Sequence, residues 1–155
     1  MDLYPLFKWF DATTIGVMIR NSTYIFPVVE VVHLFGITLL LGTLTITDLR
    51  ILGIGMRRQP INAVARELDG WTMWAGIVAI VSGILLFLSE ALKCYGNAAF
   101  PYKMWFLLGG VILYLAFRRK LTSAGASPVQ LKVVAVLSLL LWYGVAIAGR
   151  AIAFV

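Results

Sequence analysis

Histidine and cysteine are almost missing from this 155-residue chain, which has one of each, His33 and Cys94. A single cysteine excludes an internal disulfide, and so few soft ligands exclude the cysteine and histidine clusters that hold structural zinc. Cys94 reads as an unpaired thiol, with an intermolecular bridge as the alternative. Charge is scarce as well: 13% of residues are charged against 61% apolar, where a soluble domain carries about a quarter charged residues. No phosphate loop or dinucleotide fingerprint occurs, since Gly53-Ile54-Gly55 is an isolated glycine pair. No serine or cysteine nucleophile has a histidine at a matching depth. The N-terminus also lacks the compact apolar core and small-residue site of a cleavable signal peptide.

What the chain has in quantity is long apolar runs. Four approach or reach the roughly 20 residues of helix that cross a hydrocarbon core, at about 25–47, 72–91, 103–117 with a lead-in from Phe100, and 133–154. They predict an all-α membrane protein, a four-transmembrane-helix bundle that is a single integral membrane domain over 1–155 and whose first partner is the lipid bilayer. Residues 1–20 mix Trp9, Phe10, Ile15 and Met18 with Lys8, Asp11 and Arg20. That mixture predicts an N-terminal amphipathic interfacial helix, an anchor at headgroup level or a cap over an oligomer or a cofactor mouth. Asp48-Leu49-Arg50 predicts an interfacial ion pair at the end of the first span. Pro60 is expected to open a short amphipathic helix to Asp69, and Cys94 to Pro101 to form a turn.

Basic residues outnumber acidic ones, 13 to 7. Eight of them fall in two connections: Arg50, Arg57, Arg58 and Arg66 in the first, Arg118, Arg119, Lys120 and Lys132 in the second. This is the positive-inside pattern, which puts both connections in the cytoplasm and both termini on the outer side. A basic balance distributed in this way points to membrane topology and not to nucleic acid.

The candidate site is Glu30-Val31-Val32-His33. It holds the only histidine and the only charged residue between Ile25 and Thr47, and an ionisable group inside a span is a functional-site hypothesis by default. Positions i and i+3 share a helix side, so Glu30 and His33 are expected to point into one volume, with Glu30 orienting the imidazole. His33 falls about 12 Å in from Ile25 at 1.5 Å per residue. With the helices laid antiparallel, Gly83, Gly109, Gly110 and Ala146 come to the same depth, and Gly36 lies one turn deeper. Small residues facing a histidine leave room for a flat, bulky group, and helix packing alone is the other reading. Glu90, Lys103 and Arg150 form a layer nearer the outer surface, where Lys103 and Arg150 can meet the anionic propionates of a haem or simply snorkel.

These residues predict a haem b or other metal site with His33 as axial ligand and Glu30, Gly36, Gly83, Lys103 and Arg150 around it. One histidine per chain excludes bis-histidine ligation within a protomer. The second position then falls to water, Met104, Tyr102, a backbone group or nothing, unless an oligomer shares the haem. Gly144 and Ala148 on the fourth span offer a small-residue face for a homo-oligomer. The role expected is electron transfer or membrane redox chemistry, with a partner protein or a quinone. The alternatives are a proton, ion or copper transport protein and a non-redox assembly subunit.

The pattern Glu30-x-x-His33-x-x-Gly36-x-x-x-x-x-Gly42, then Asp48-Leu49-Arg50-x-Leu52-Gly53, then Lys103-Met104, resembles an uncharacterised family of small bacterial four-helix membrane proteins over nearly the whole chain. More distantly, the first-helix histidine and third-helix lysine resemble the HemJ-type protoporphyrinogen oxidases and the copper-resistance D family. The resemblance implies a bacterial inner membrane location, a haem b role for His33, a functional role for Lys103 and a possible oxidoreductase activity. The chain differs from the oxidases in its Asp48-Leu49-Arg50 sequence and in having no histidine beyond His33, so the resemblance carries haem binding further than porphyrinogen oxidation.

Overall fold

The structure, a computed structural model, describes residues 3–121 and 127–152. Among them are seven helices and no strand: α1 (Tyr4–Asp11), α2 (Thr14–Asn21), α3 (Ile25–Leu52), α4 (Ile61–Ser89), α5 (Ala91–Gly96), α6 (Ala99–Leu121) and α7 (Pro128–Ala151). Helices α3, α4 and α7 and the Ala99–Ala116 part of α6 are each long and apolar enough to cross a membrane, the make-up of a multi-pass membrane protein. Their outward faces are apolar too, with Phe35, Trp74, Trp105 and Ile147 among the most exposed side chains. A helix apolar all round is what lipid requires.

Local signals set the helix ends. The Ser22 hydroxyl accepts from the Ile25 N–H at 3.1 Å, relieving one of the unpaired donors at the start of α3. Gly53 closes α3 at φ +80°, the left-handed backbone that glycine adopts without strain. Ser127 and Gln130 form a capping box ahead of α7, with Pro128 in its first turn. Helix α4 starts directly after Pro60, so the short helix expected over Pro60–Asp69 is the first two turns of one continuous helix. The expected turn at Cys94–Pro101 is broken into α5 and the first turn of α6, separated at Asn97, whose side chain accepts from the Ala99 N–H at 2.9 Å and donates to the Ile152 carbonyl at 3.1 Å.

The long helices alternate in direction. Gly36 lies on the Ala79 backbone and Leu40 beside Gly76, so α3 and α4 are antiparallel; Gly110 lies on Trp142 and Gly144 on Phe106, so α6 and α7 are too. The α3–α4 and α6–α7 pairs pack most extensively, and α3 joins α7, with Thr45 and Tyr143 hydroxyls 3.3 Å apart. The fourth side is looser. Between α4 and α6 the described contacts are a stacked Phe87–Phe100 pair near one end and a 2.9 Å hydrogen bond from Tyr114 to Asp69 near the other. The core runs through Leu40, Leu44, Ala75, Trp142 and Val145, with a second cluster at Ile51 and Ala135.

The N-terminal segment is not one helix. Thr13 takes an extended backbone and accepts from the Gly16 N–H, a helix start that ends α1 and begins α2. An ion pair between Asp11 and Arg20 at 2.8 Å folds the two back on each other, and Arg20 also donates to the Ser89 carbonyl. The segment therefore lies over the end of α4, with Phe7 and Phe10 edge-on to Phe87. The last residues of the expected fourth span, Ala153 and Phe154, and residues 122–126 of the serine- and glycine-containing loop lie outside the described residues.

Candidate functional site

His33 sits half-buried on the α4 side of α3. Its Nδ1 is 3.0 Å from the Ser82 hydroxyl oxygen, so a serine does lie at the depth of the histidine, against the expectation from sequence. That hydroxyl spends its single proton on backbone carbonyls of its own helix, Val78 at 2.5 Å and Ala79 at 3.4 Å, so it is left to accept from the ring. The imidazole is then protonated on Nδ1 and carries its free lone pair on Nε2, the tautomer that the hydrogen-bond network assigns. Gly83 makes the seat: a Cβ there would stand 2.9 Å from His33 Cε1, closer than such atoms pack. The Ser82-Gly83 pair thus holds the ring against α4.

Below the ring is a cavity of about 340 Å³ walled by all four long helices. His33 and Leu41 mark its extent on α3, about 12 Å by the helical rise. Lys103 and Met104 face it from α6, Gly76 and Gly83 from α4, and Trp142 from α7. The looseness between α4 and α6 opens it sideways between Ile80, Ile84 and Met104, all well exposed. Phe87 and Phe100 line the cavity and also carry the aromatic cluster under α1, so the N-terminal segment covers its His33 end.

Of the residues singled out from sequence, His33, Gly83 and Lys103 come together, and Met104 with them. Glu30 does not: it is exposed on α3, and Ser82 takes the place expected for it. Gly36 is spent on helix packing, with the Ala79 backbone nitrogen 3.0 Å from where its Cβ would be. Gly109 and Gly110 seat Leu141 and Trp142 and not the histidine. Arg150 is exposed and outside the cavity wall, and Glu90 pairs with Lys93 instead of joining Lys103. Cys94 is a half-buried free thiol in α5; burial pushes it above its ordinary range, and the Lys103 charge pulls the other way.

Sequence reasoning missed the most buried acid among the described residues. Asp48 does not pair with Arg50, whose Nε donates to the Gln59 carbonyl at 2.7 Å. The Asp48 side of α3 faces the bundle, and the residue is 3% exposed. Ser138 of α7 hydrogen-bonds its carboxyl, while Oδ2 has no partner among the described residues. Trp142 Nε1 is the other buried orphan. No group of three or more His, Cys, Asp or Glu side chains positioned to hold a metal ion occurs among the described residues.

Residues 6–155 match the model of a family of unknown function, DUF6644. The chain belongs to that family. No curated protein and no solved structure matches the chain, and no resemblance to HemJ-type oxidases or copper-resistance proteins is shown by these comparisons.

Proposed function

We propose that this chain is a haem b-binding membrane protein of electron transfer or membrane redox chemistry, with His33 as the axial ligand. The observation that carries the reading is the Ser82 hydroxyl fixing the Nδ1–H tautomer, since a ligating histidine characteristically donates its other ring N–H to an outer partner. The donor set fits the group: a neutral imidazole lone pair, a cation at Lys103 for a propionate, and apolar walls. The cavity of about 340 Å³ is open between α4 and α6, and that side would leave room for a larger group. Bound there, haem b would supply reversible one-electron chemistry.

The chain's own residues do the rest. Ser82 and Gly83 orient the imidazole, Lys103 offsets negative charge, and Phe7, Phe10, Phe87 and Phe100 keep water from the His33 end. Met104 lines the same cavity and would be the side chain available as a further ligand. The basic residues Arg57, Arg58 and Arg66 beyond the Asp48 end support a bacterial inner membrane orientation with both termini outward. The electron partner is a protein or a quinone, and the exposed Glu30 on an apolar face supports a homo-oligomer.

An absorption spectrum of the protein purified in mild detergent, before and after dithionite and with a pyridine haemochrome assay, tests this. A Soret band with sharp reduced α and β bands is expected, lost in His33→Ala and weakened in Ser82→Ala. A well-folded protein with a flat visible spectrum after haem supplementation overturns it and leaves a cofactor-free proton or ion path, or an assembly role.

A further inference from the structure

Asp48 has no task in the site described above, yet its placement is costly. An ionisable side chain inside a span is tolerated where it faces the bundle interior and has work there, and a buried polar atom without a partner calls for an explanation. Asp48 sits one turn before the end of α3, against α7. Its charged neighbours point elsewhere: Arg50 on its own helix bonds Gln59, Asp69 on α4 takes the Tyr114 hydroxyl, and Arg66 and Glu67 of α4 and Lys132 of α7 are exposed. Among the described residues no counter-charge stabilises a carboxylate here, and one oxygen is already held by Ser138.

The second observation is where the other orphan lies. Ser138 and Trp142 are four residues apart and share one face of α7, both 7% exposed. The layer of Leu40, Leu44, Ala75, Trp142 and Val145 separates Asp48 from the cavity, and within that layer the one polar side-chain atom is Trp142 Nε1. It is unpartnered and belongs to a ring that lines the cavity. Two unsatisfied polar groups therefore meet at a thin apolar layer, an acid beneath it and a donor within it whose ring lines the cavity.

We propose that Asp48 is an internal proton-binding site that takes protons from the adjacent bundle end and passes them toward the His33 cavity past Ser138 and Trp142. The step is a proton equilibrium alone: the carboxylate gains a proton to become a carboxylic acid with Ser138 on one oxygen, and releases it again. Ser138 orients the carboxyl. Trp142 Nε1–H, a donor only, orients an acceptor and carries no proton itself. The use of the proton at the cavity rests on the cofactor reading; the binding of it does not.

Infrared difference spectra of the full chain in liposomes, recorded across a pH titration, read this directly. A protonated carboxyl C=O band that disappears as pH rises is expected, absent in Asp48→Asn and shifted in Ser138→Ala. If Asp48→Asn does not fold by circular dichroism, the Ser138→Ala shift decides. Identical spectra for wild type and Asp48→Asn, or for wild type and Ser138→Ala when the first variant is lost, overturn the proposal. In coloured protein, Asp48→Asn should also flatten the pH dependence of the midpoint potential and keep the Soret band. A colourless protein with the carboxyl band intact would sink the haem reading and leave the proton site standing.

Discussion

At the scale of single residues, the histidine and its cavity neighbours Gly83 and Lys103 were legible, and the partner of its ring was not. His33 stands out by being alone, but Ser82 is 49 positions away on another helix, and no local pattern links them. Glu30 misled for a geometric reason: three residues advance a helix by about 300°, leaving about 60° between the two side chains. On a seam as narrow as that of α3, this offset is enough to turn Glu30 outward. Asp48 misled because a charge near a span end is usually interfacial, and only the continuation of α3 to Leu52 shows that it faces inward. Cys94 gives a residue-level prediction. Alkylation needs the thiolate, and burial raises the thiol, so reaction with a water-soluble maleimide near neutral pH should be slower than for a free thiol and should rise only at alkaline pH. Lys103 lowers Cys94, so Lys103→Met should move that rise to still higher pH; a profile moving to lower pH, read by mass spectrometry, would contradict the arrangement.

At the scale of elements, four spans could be read from apolar runs because lipid imposes length and composition directly. Their lengths could not, since α3 and α4 extend beyond the hydrophobic core through polar turns that composition assigns to loops. Small residues were visible in sequence, but sequence does not say which partner each one meets. Gly36 and Gly42 make the contrast measurable. A valine at Gly36 meets the Ala79 backbone, which cannot yield as a flexible side chain does, so Gly36→Val should cost about 1–3 kcal/mol as overpacking. Gly42 has open space around it, and Gly42→Ala should be neutral or gain up to about 1 kcal/mol in helix propensity. Thermal unfolding in detergent separates them, and equal effects would mean that α3 and α4 do not meet through Gly36.

For the whole molecule, the division into two packed hairpins, α3–α4 and α6–α7, was not readable from sequence, because it depends on which helices approach closely after folding. The N-terminal segment was open between an anchor and a cap in sequence, and the break at Thr13 with the ion pair from Asp11 to Arg20 folds it into a cover over the end of α4. Arg20→Ala removes both that pair and the Ser89 contact. Limited proteolysis should then cut between α1 and α3 several times faster, with the bundle itself resistant. An unchanged cutting rate would show that the Phe7 and Phe10 contacts hold the cap without it.

The gap between α4 and α6 has a consequence for supply. A site entered through its flank is filled from the bilayer, so occupancy follows the ligand's concentration in lipid and not in water. Partitioning raises that concentration, and occupancy then needs only modest affinity, because bound fraction depends on the ratio of free ligand to Kd. Detergent reverses the advantage by diluting the same ligand into micelles. The protein would leave the membrane emptier than it was within it, and lipid nanodiscs would keep what extraction strips away.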